Sequence, residues 1–244
     1  MRIEYFDTLP STNQYCELLN LEETEEFTVV AAFAQTAGIG QRGNHWEAEP
    51  GKNLTFSIVL KPTWLPIVDQ YQLTKAVSLG ITDYLRPLIA EGNRRVHIKW
   101  PNDIYVDDKK ICGILITHHI AGGKVSASVV GIGLNVNQID FPSWVPNPTS
   151  LCLLTGQVWP LSEALENVLS HIAYRYNELR DNPIGILDQP YLSMLLRRGE
   201  KAQYGYQGQT ITATLLDVNR YGHLQLVTDR GERLSCQLKE IQFL

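Results

Sequence analysis

Three glycines in one short stretch constrain the fold of this chain more than any other feature. The stretch spans residues 36–46 and reads TAGIGQRGNHW. Gly38, Gly40 and Gly43 have the G-x-G-x-x-G spacing of a dinucleotide-binding turn. Such a turn needs a strand before it and a helix after it, because the N-terminus of the helix holds the pyrophosphate. The neighbouring sequence therefore decides what the glycines do.

That neighbouring sequence predicts a loop between two strands. Residues 27–33 (FTVVAAF) and 53–61 (NLTFSIVLK) are rich in β-branched and apolar residues, as strands are. Between the glycines and the second strand, Pro50 and Gly51 indicate a turn and no helical pattern occurs. The spacing is therefore a coincidental match to the dinucleotide motif. The backbone amides of the loop can still bind an anion.

The rest of the chain alternates predicted strands and helices. An amphipathic helix is predicted at 69–89, kinked or ended before Pro87. Further elements are predicted: a strand at 2–6 followed by a helix capped by Ser11, a hairpin at 103–120, a strand at 125–137, and helices at 162–180 and 184–196. From Lys201 onward, short alternating strands are separated by glycines. We therefore expect an α+β catalytic domain at 1–196 and a small β-domain at 197–244.

Composition excludes several classes of protein. The 244 residues are 44% hydrophobic and 19% charged, as in an ordinary globular protein. No apolar run reaches the ~20 residues of a membrane span, and the N-terminus lacks signal-peptide features, so a cytoplasmic location is predicted. The net charge of −5 argues against DNA binding. The four cysteines form no C-x-x-C pair, which disfavours zinc and redox sites.

Five separated motifs together resemble the biotin protein ligases, and the resemblance covers nearly the whole chain. The motifs are PSTNQ (10–14), QTAGIGQRGNHW (35–46), KWPNDI (99–104), KKICGIL (109–115) and GIGLNVN (131–137). The resemblance implies a class II synthetase-like mixed β-sheet flanked by helices, with a C-terminal SH3-like β-barrel. Because the motifs begin near residue 10, the chain resembles the monofunctional type that lacks an N-terminal DNA-binding domain.

The resemblance also implies a reaction and its partners. An ATP-dependent biotin–protein ligase converts biotin and ATP, with Mg²⁺, into biotinyl-5′-AMP and pyrophosphate. It then transfers biotin to a lysine of a biotin carboxyl carrier domain of a biotin-dependent carboxylase. Relatives include monomers and dimers, so a homodimer is among the expected assemblies.

The resemblance assigns site residues by matching motifs. Lys99 and Arg42 are the catalytic residues it implies. The biotin-binding residues that it implies are Ser11, Thr12, Asn13, Gln35, Gly38, Ile39, Gly40, Gln41, Lys99, Gly113, Ile114 and Leu115. The nucleotide-binding residues that it implies are Arg42, Gly43, Trp46, Asn102, Lys110 and Asn135. It names no dedicated metal ligand, since magnesium is held largely by the phosphates of ATP.

The chemistry of these residues suits their implied roles, with one departure. Lys99 supplies a point charge for the developing negative oxygen, and the indole of Trp46 can stack on adenine. The family usually reads G-R-G-R in the loop, but Ile39 and Gln41 replace the two arginines here. Arg42, one position later, is expected to carry the phosphate contact, with help from Lys99 and Lys52.

Other interpretations stay open at several positions. Ser11 is also explained by helix capping, Trp46 by a place in the core, and Asn102 by the hairpin turn. A lipoate ligase or octanoyl transferase shares the fold, although these proteins typically lack KWPND. A catalytically weak biotin-binding module is a third hypothesis, because two loop arginines are missing.

Overall fold

Seven strands form the larger sheet of this chain. The computed structural model describes residues 1–90 and 92–244, and the side chain of Arg42 lies outside that description. The strands are β1 (Arg2–Leu9), β2 (Thr28–Gln35), β3 (Leu54–Leu60), β4 (Val96–Lys99), β5 (Asp103–Val106), β6 (Lys109–Ala121) and β7 (Lys124–Leu134). Their order is β1-β2-β3-β7-β6-β5-β4. Only β1 and β2 pair in parallel, so the sheet is mixed, as predicted.

The described residues also form five α-helices. They are α1 (Thr12–Glu17), α2 (Tyr71–Leu88), α3 (Leu151–Thr155), α4 (Leu161–Asp181) and α5 (Asp188–Met194). The buried face of α2, including Leu73, Ile81 and Leu85, joins one hydrophobic core with residues of α4 such as Val168 and Ile172. Among the described residues, no helix is both long enough and apolar enough to cross a membrane.

Local sequence signals predicted most of these elements. Ser11 caps α1 by accepting a hydrogen bond from the backbone N–H of Gln14, and the glycine loop joins β2 to β3. The helix predicted at 69–89 is present as α2, and of the two alternatives at Pro87 an end before the proline is wrong, because α2 continues to Leu88. Pro87 removes only the one backbone hydrogen bond that its own N–H would donate. The helix predicted at 184–196 is shorter than expected, and α3 was not predicted.

The C-terminal residues form a second, antiparallel sheet. Its strands are β8 (Lys201–Tyr206), β9 (Gln209–Val218), β10 (Leu224–Thr228), β11 (Arg233–Cys236) and β12 (Ile241–Phe243), in the order β11-β10-β9-β8-β12. Within the described part of the chain, no ladder joins β11 to β12. Where the SH3-like barrel was predicted, the structure therefore has a five-stranded antiparallel sheet whose two edge strands do not pair with each other.

The second sheet is attached to the first by specific contacts. The indole N–H of Trp100 donates a hydrogen bond to the carbonyl oxygen of Gly222 at 2.9 Å. The guanidinium of Arg220 forms two hydrogen bonds with the fully buried carboxylate of Asp69. These contacts hold the turn at 219–223 against the edge of the larger sheet. The proposed domain boundary after residue 196 stays a prediction.

Candidate functional site

A cleft lies on one face of the larger sheet, above β6 and β7, and we call it the central cleft. The strand register arranges its floor in rows, with Leu115 opposite Gly131 and Gly113 opposite Gly133. Successive rows are two residues apart, or roughly 7 Å along the strands. The rows therefore form an elongated floor rather than a round pocket.

Short polar side chains close one end of the central cleft. The backbone N–H of Thr12 donates a hydrogen bond to Oε1 of Gln35 at 2.7 Å. The hydroxyl of Ser57 lies 2.8 Å from the hydroxyl of Thr12 and 3.0 Å from Oδ1 of Asn13. Ser57 is fully buried, so it fixes both side chains from below. The sequence analysis missed Ser57, because no local pattern links β3 to α1.

Trp46 fills the middle of the central cleft. Its indole lies on Gly133, where an added Cβ would collide with the ring. It also lies on Gly113, where an added Cβ would approach ring atom Cζ3 to 2.9 Å. The open volume that remains in the cleft is about 50 Å³. Because ligand pockets usually offer roughly 300 Å³ or more, a ligand must displace this indole.

An ion pair borders the floor next to Trp46. Nζ of Lys110 lies 2.7 Å from Oδ1 of Asp103, and both side chains are largely buried. The same ammonium group lies 5.5 Å from the centroid of the Trp46 ring system. Lys110 is therefore a cationic side chain that the structure places directly beside the floor. Asp103 also lines the cleft and was not predicted as a site residue.

Lys99 lies at the edge of the same row, on the same face of the sheet, but it does not line the cleft. It pairs with Asp103, which pairs with Gly113. Its ammonium group donates a hydrogen bond to the hydroxyl of Tyr105 at 3.1 Å and lies 5.6 Å from the ring centroid of Phe243. Burial lowers the pKa of Lys99 below its ordinary value; the charge of Asp103 opposes this shift, and the charge of Arg197 adds a smaller lowering. Lys99 can therefore reach the cleft only by changing its side-chain conformation.

A second space, which we call the side cavity, adjoins the central cleft. Its volume is about 320 Å³, and Trp46 and Lys110 line both spaces. Its other lining residues include Phe141, Trp144 and Asn135. Oδ1 of Asn135 and the indole N–H of Trp46 are both buried without a hydrogen-bond partner among the described atoms. Unpaired buried polar atoms are costly, so this cavity is suited to a ligand that supplies hydrogen bonds.

The structure brings most of the predicted site residues together. Those that line the central cleft are Ser11, Thr12, Asn13, Gln35, Ile39, Gly40, Gln41, Trp46, Asn102, Lys110, Gly113, Ile114 and Leu115. Asn135 lines the side cavity, while Gly38 accepts a hydrogen bond from the backbone N–H of Trp46. Gly43 and Lys99 lie beside the cleft without lining it. The side chain of Arg42 lies outside the described residues.

The fold and the two adjoining spaces define a class of protein. It is a mixed-sheet protein with a glycine-floored cleft that continues into an aromatic cavity, an arrangement suited to a ligand with two parts. Comparison with known sequences identifies the family. The sequence profile of the Biotin/lipoate A/B protein ligase family matches residues 5–135, and the chain belongs to this family.

Individual relatives resemble the chain over most of its length. The bifunctional ligase/repressor BirA of Bacillus subtilis is 29% identical over 93% of this chain and 70% of that protein. The biotin–[acetyl-CoA-carboxylase] ligase of Mycobacterium tuberculosis is 30% identical over 81% of this chain and 72% of that protein. A biotin protein ligase from Aquifex aeolicus, solved with biotin and ATP, has a TM-score of 0.82 at 24% identity. That match covers 100% of this chain and 98% of the other, and it supports the fold.

Proposed function

We propose that this chain is an ATP-dependent biotin–protein ligase. The observation that carries the proposal is the joining of the central cleft to the side cavity, with the residues of all five motifs lining them. The printed names of the relatives, which are biotin ligases, point to the same activity. In the proposed reaction, a biotin carboxylate oxygen attacks the α-phosphorus of ATP and pyrophosphate leaves.

The polar end of the central cleft suits the ureido ring of biotin. That ring is planar and has two N–H donors and one carbonyl acceptor. Thr12, Asn13 and Gln35 supply short polar groups at this end, and Gly131 keeps the floor clear, because an added Cβ there would collide with Asn13. Apolar walls with a few placed polar groups are typical of small-molecule sites.

The opposite end suits the nucleotide. With biotin placed this way, its carboxylate end lies over Gly113 and Gly133, next to the ion pair of Lys110 and Asp103. The side cavity then receives the adenine, with Asn135 and the indole of Trp46 as the buried polar and aromatic partners. Stacking of a base on an aromatic ring contributes about 1–3 kcal/mol.

Cationic side chains stabilise the reacting phosphate in this proposal. Lys99 is assigned to the α-phosphate, and it reaches the phosphate by leaving Tyr105. Arg42 is assigned to the same phosphate, and this assignment rests on the sequence alone. Preorganised charges of this kind often supply most of the rate enhancement in phosphoryl and adenylyl transfer.

Magnesium enters the proposal as part of the ATP substrate. The described residues contain no group of three or more His, Cys, Asp or Glu side chains arranged to hold a metal ion. Asp103 is already paired with Lys110. We therefore assign no step to a metal held by the protein, and magnesium arrives with the phosphates.

The acceptor in this proposal is a lysine of a carboxylase carrier domain. The relative named for acetyl-CoA-carboxylase supports this assignment. We further propose that the chain acts in the cytoplasm. The homodimer stays a prediction of the resemblance.

The test is biotin-dependent exchange of labelled pyrophosphate into ATP by the purified protein, with magnesium and no acceptor. Exchange that requires biotin and is not supported by lipoate is the expected result. Exchange with lipoate alone would indicate a lipoate ligase. Measurable biotin binding without any exchange would indicate a binding module, whose inactivity follows from Ile39 and Gln41.

A further inference from the structure

Residues 100–102 form the turn between β4 and β5, and we call this segment the site turn. Lys99 is the last residue of β4, and Asp103 is the first residue of β5. Asn102 and Asp103 both line the central cleft. A displaced site turn would therefore displace residues beside the floor on which the proposed function places the reacting groups.

The first and last residues of the site turn are held by different parts of the fold. The indole N–H of Trp100 donates to the carbonyl oxygen of Gly222, which lies in a turn of the second sheet. Asn102 forms two hydrogen bonds with β6. Its side-chain amide donates to the carbonyl oxygen of Ile114 at 2.7 Å, and its own carbonyl oxygen accepts from the N–H of Ile114 at 2.9 Å. The middle residue, Pro101, needs a contact of its own.

Tyr71, the first residue of α2, supplies the contact to Pro101. Its hydroxyl donates to the carbonyl oxygen of Pro101 at 3.2 Å and lies 2.8 Å from the hydroxyl of Tyr191. Burial raises the pKa of Tyr71 well above its ordinary value, so the hydroxyl keeps the proton that it donates. Because a phenol has only one proton, the hydroxyl of Tyr191 must donate to the oxygen of Tyr71. The two tyrosines therefore form a short hydrogen-bonded chain that ends on the site turn.

A buried ammonium group stabilises the position of both tyrosine rings. Nζ of Lys75 lies 2.7 Å from Oδ1 of Asp188, and the side chain of Lys75 is only 3% exposed. The same ammonium group lies 5.9 Å from the ring centroid of Tyr71 and 5.6 Å from that of Tyr191. A cation within about 6 Å of an aromatic ring attracts the ring face. The hydroxyl of Tyr71 is therefore carried by a ring with a fixed place in the core.

The second sheet also packs against Tyr71, through the same glycine that bonds to Trp100. An added Cβ at Gly222 would collide with the ring of Tyr71 and would approach its Cγ to 2.8 Å. The α-carbon of Gly222 therefore contacts Tyr71 while its carbonyl oxygen accepts the hydrogen bond from Trp100. One glycine thus contacts two of the groups that hold the site turn.

We propose that Tyr71 is a positioning residue of the ligase reaction, whose hydroxyl fixes the carbonyl group of Pro101 and thereby holds Asn102 and Asp103 where the biotin carboxylate meets ATP. The inference rests on the proposed function and adds a residue that none of the five motifs contains. Tyr71 does not line the central cleft, so it acts through the site turn. A misplacement of roughly 1 Å, transmitted from a distant residue, can slow a reaction by about 10²-fold.

The first pair of variants removes one hydroxyl each from the whole protein. Tyr71→Phe keeps the ring and removes the donor to Pro101. Tyr191→Phe, its control, removes the neighbouring hydroxyl and leaves the contact with Pro101 in place. At saturating biotin and ATP, Tyr71→Phe should slow single-turnover formation of biotinyl-5′-AMP by about five-fold or more, and Tyr191→Phe should leave it unchanged. The Kd for biotin should be unchanged in both variants, because the polar end of the cleft is held by other contacts.

The second pair of variants displaces the tyrosine ring without changing the tyrosine. Gly222→Ala places a methyl group against Tyr71, whereas at Gly208 an added Cβ has no neighbour within 4 Å. Both glycines have a positive φ, of 83° and 76°, so alanine strains the backbone similarly at the two positions. Gly222→Ala should slow adenylate formation as Tyr71→Phe does, and Gly208→Ala should leave it unchanged.

A further measurement does not depend on activity. Hydrogen exchange of the Trp100 indole N–H, followed by NMR in the ligand-free protein, measures how firmly the site turn is held. Exchange should be faster in Tyr71→Phe and in Gly222→Ala than in the unmodified protein. It should be unchanged in Tyr191→Phe and in Gly208→Ala.

Three outcomes would overturn the inference. An unchanged rate of adenylate formation in Tyr71→Phe would show that its hydroxyl does not position the site. Equal losses in Tyr71→Phe and Tyr191→Phe would assign both hydroxyls to stability alone. A loss of biotin affinity as large as the loss of rate would indicate a general distortion of the cleft. If the unmodified protein forms no adenylate, the proposed function fails, while the exchange of the Trp100 indole still decides whether Tyr71 holds the site turn.

Discussion

The indole of Trp46 rests on the α-carbon of Gly133, in the space that any side chain at position 133 would occupy. The loop that carries the indole is closed on itself, because the N–H of Trp46 donates to the carbonyl oxygen of Gly38 at 2.9 Å. The glycine in the strand and the tryptophan in the loop therefore share one space. A ligand that occupies the cleft must move the indole, and the loop moves with it.

The first prediction concerns this shared space. Gly133→Ala should weaken biotin binding by about ten-fold or more, because the added methyl group occupies the floor on which the proposed function places the carboxylate end of biotin, and overpacking costs about 1–3 kcal/mol. The matched control is Gly205→Ala in β8, where the added Cβ finds its nearest neighbour at 3.4 Å. Titration calorimetry with biotin would measure both variants. Equal affinity of Gly133→Ala and the unmodified protein would show that biotin does not lie over Gly133.

A second prediction concerns the residue beneath the polar end of the cleft. Ser57→Ala removes the hydroxyl that contacts both Thr12 and Asn13. Each lost hydrogen bond costs about 1 kcal/mol, so biotin affinity should fall by roughly ten-fold. Ser78→Ala is the control, because the buried hydroxyl of Ser78 has no partner among the described atoms. If the two variants bind biotin equally well, Ser57 does not position the binding residues.

The sequence predicted those parts of the site that depend on local sequence patterns. Ser11 lies where a cap was expected, and the glycine loop joins two strands because no helical periodicity follows it. Ser57 escaped prediction because its contacts reach 44 and 45 residues along the chain. Asp103 was expected only as the first residue of the hairpin at 103–120, yet a register shift between Ile104 and Tyr105 accompanies the placement of Lys110 beside it.

The orientation of Lys99 depends on the whole fold. Its motif marks it as a site residue, but its neighbours include Phe243, which is the last residue of the last strand. No pattern near position 99 contains that contact. The closure of a barrel is equally non-local, because it depends on whether β11 and β12 meet.

A third prediction tests how Lys99 is held. Tyr105→Phe removes the hydroxyl that accepts its hydrogen bond. That bond stabilises the ammonium form, so its loss should lower the pKa of Lys99 further than burial already does. Since the charged form is the active one, the alkaline limb of pyrophosphate exchange should move to lower pH. An alkaline limb at the same pH in both proteins would show that Tyr105 does not influence the lysine.

A fourth prediction concerns the loop arginine. Arg42→Ala should slow adenylate formation by about 10²-fold or more if Arg42 stabilises the transferred phosphate. Arg42→Lys, which keeps the charge, should recover part of the rate. Single-turnover formation of biotinyl-5′-AMP is the appropriate measurement. A normal rate in Arg42→Ala would assign the charge role to Lys99 and Lys110 alone.

The last prediction uses the buried histidine of β6. His118 contacts the hydroxyl of Ser128 at 2.9 Å, and burial lowers its pKa from 6.5 to about 4, with a smaller effect from His119. Between these two values the unfolded chain binds more protons than the folded one, so stability must fall as the pH falls from 6.5 towards 4. The folded state prefers the neutral ring by up to about 3 kcal/mol.

His118→Asn removes this titration and keeps a polar group near Ser128. Urea unfolding of both proteins at pH 7 and at pH 4.5 would measure the effect, because the difference between their unfolding free energies isolates His118 from all other groups. The unmodified protein should lose more stability on acidification than the variant does. Equal losses would mean that the ring is protonated in the folded state without penalty.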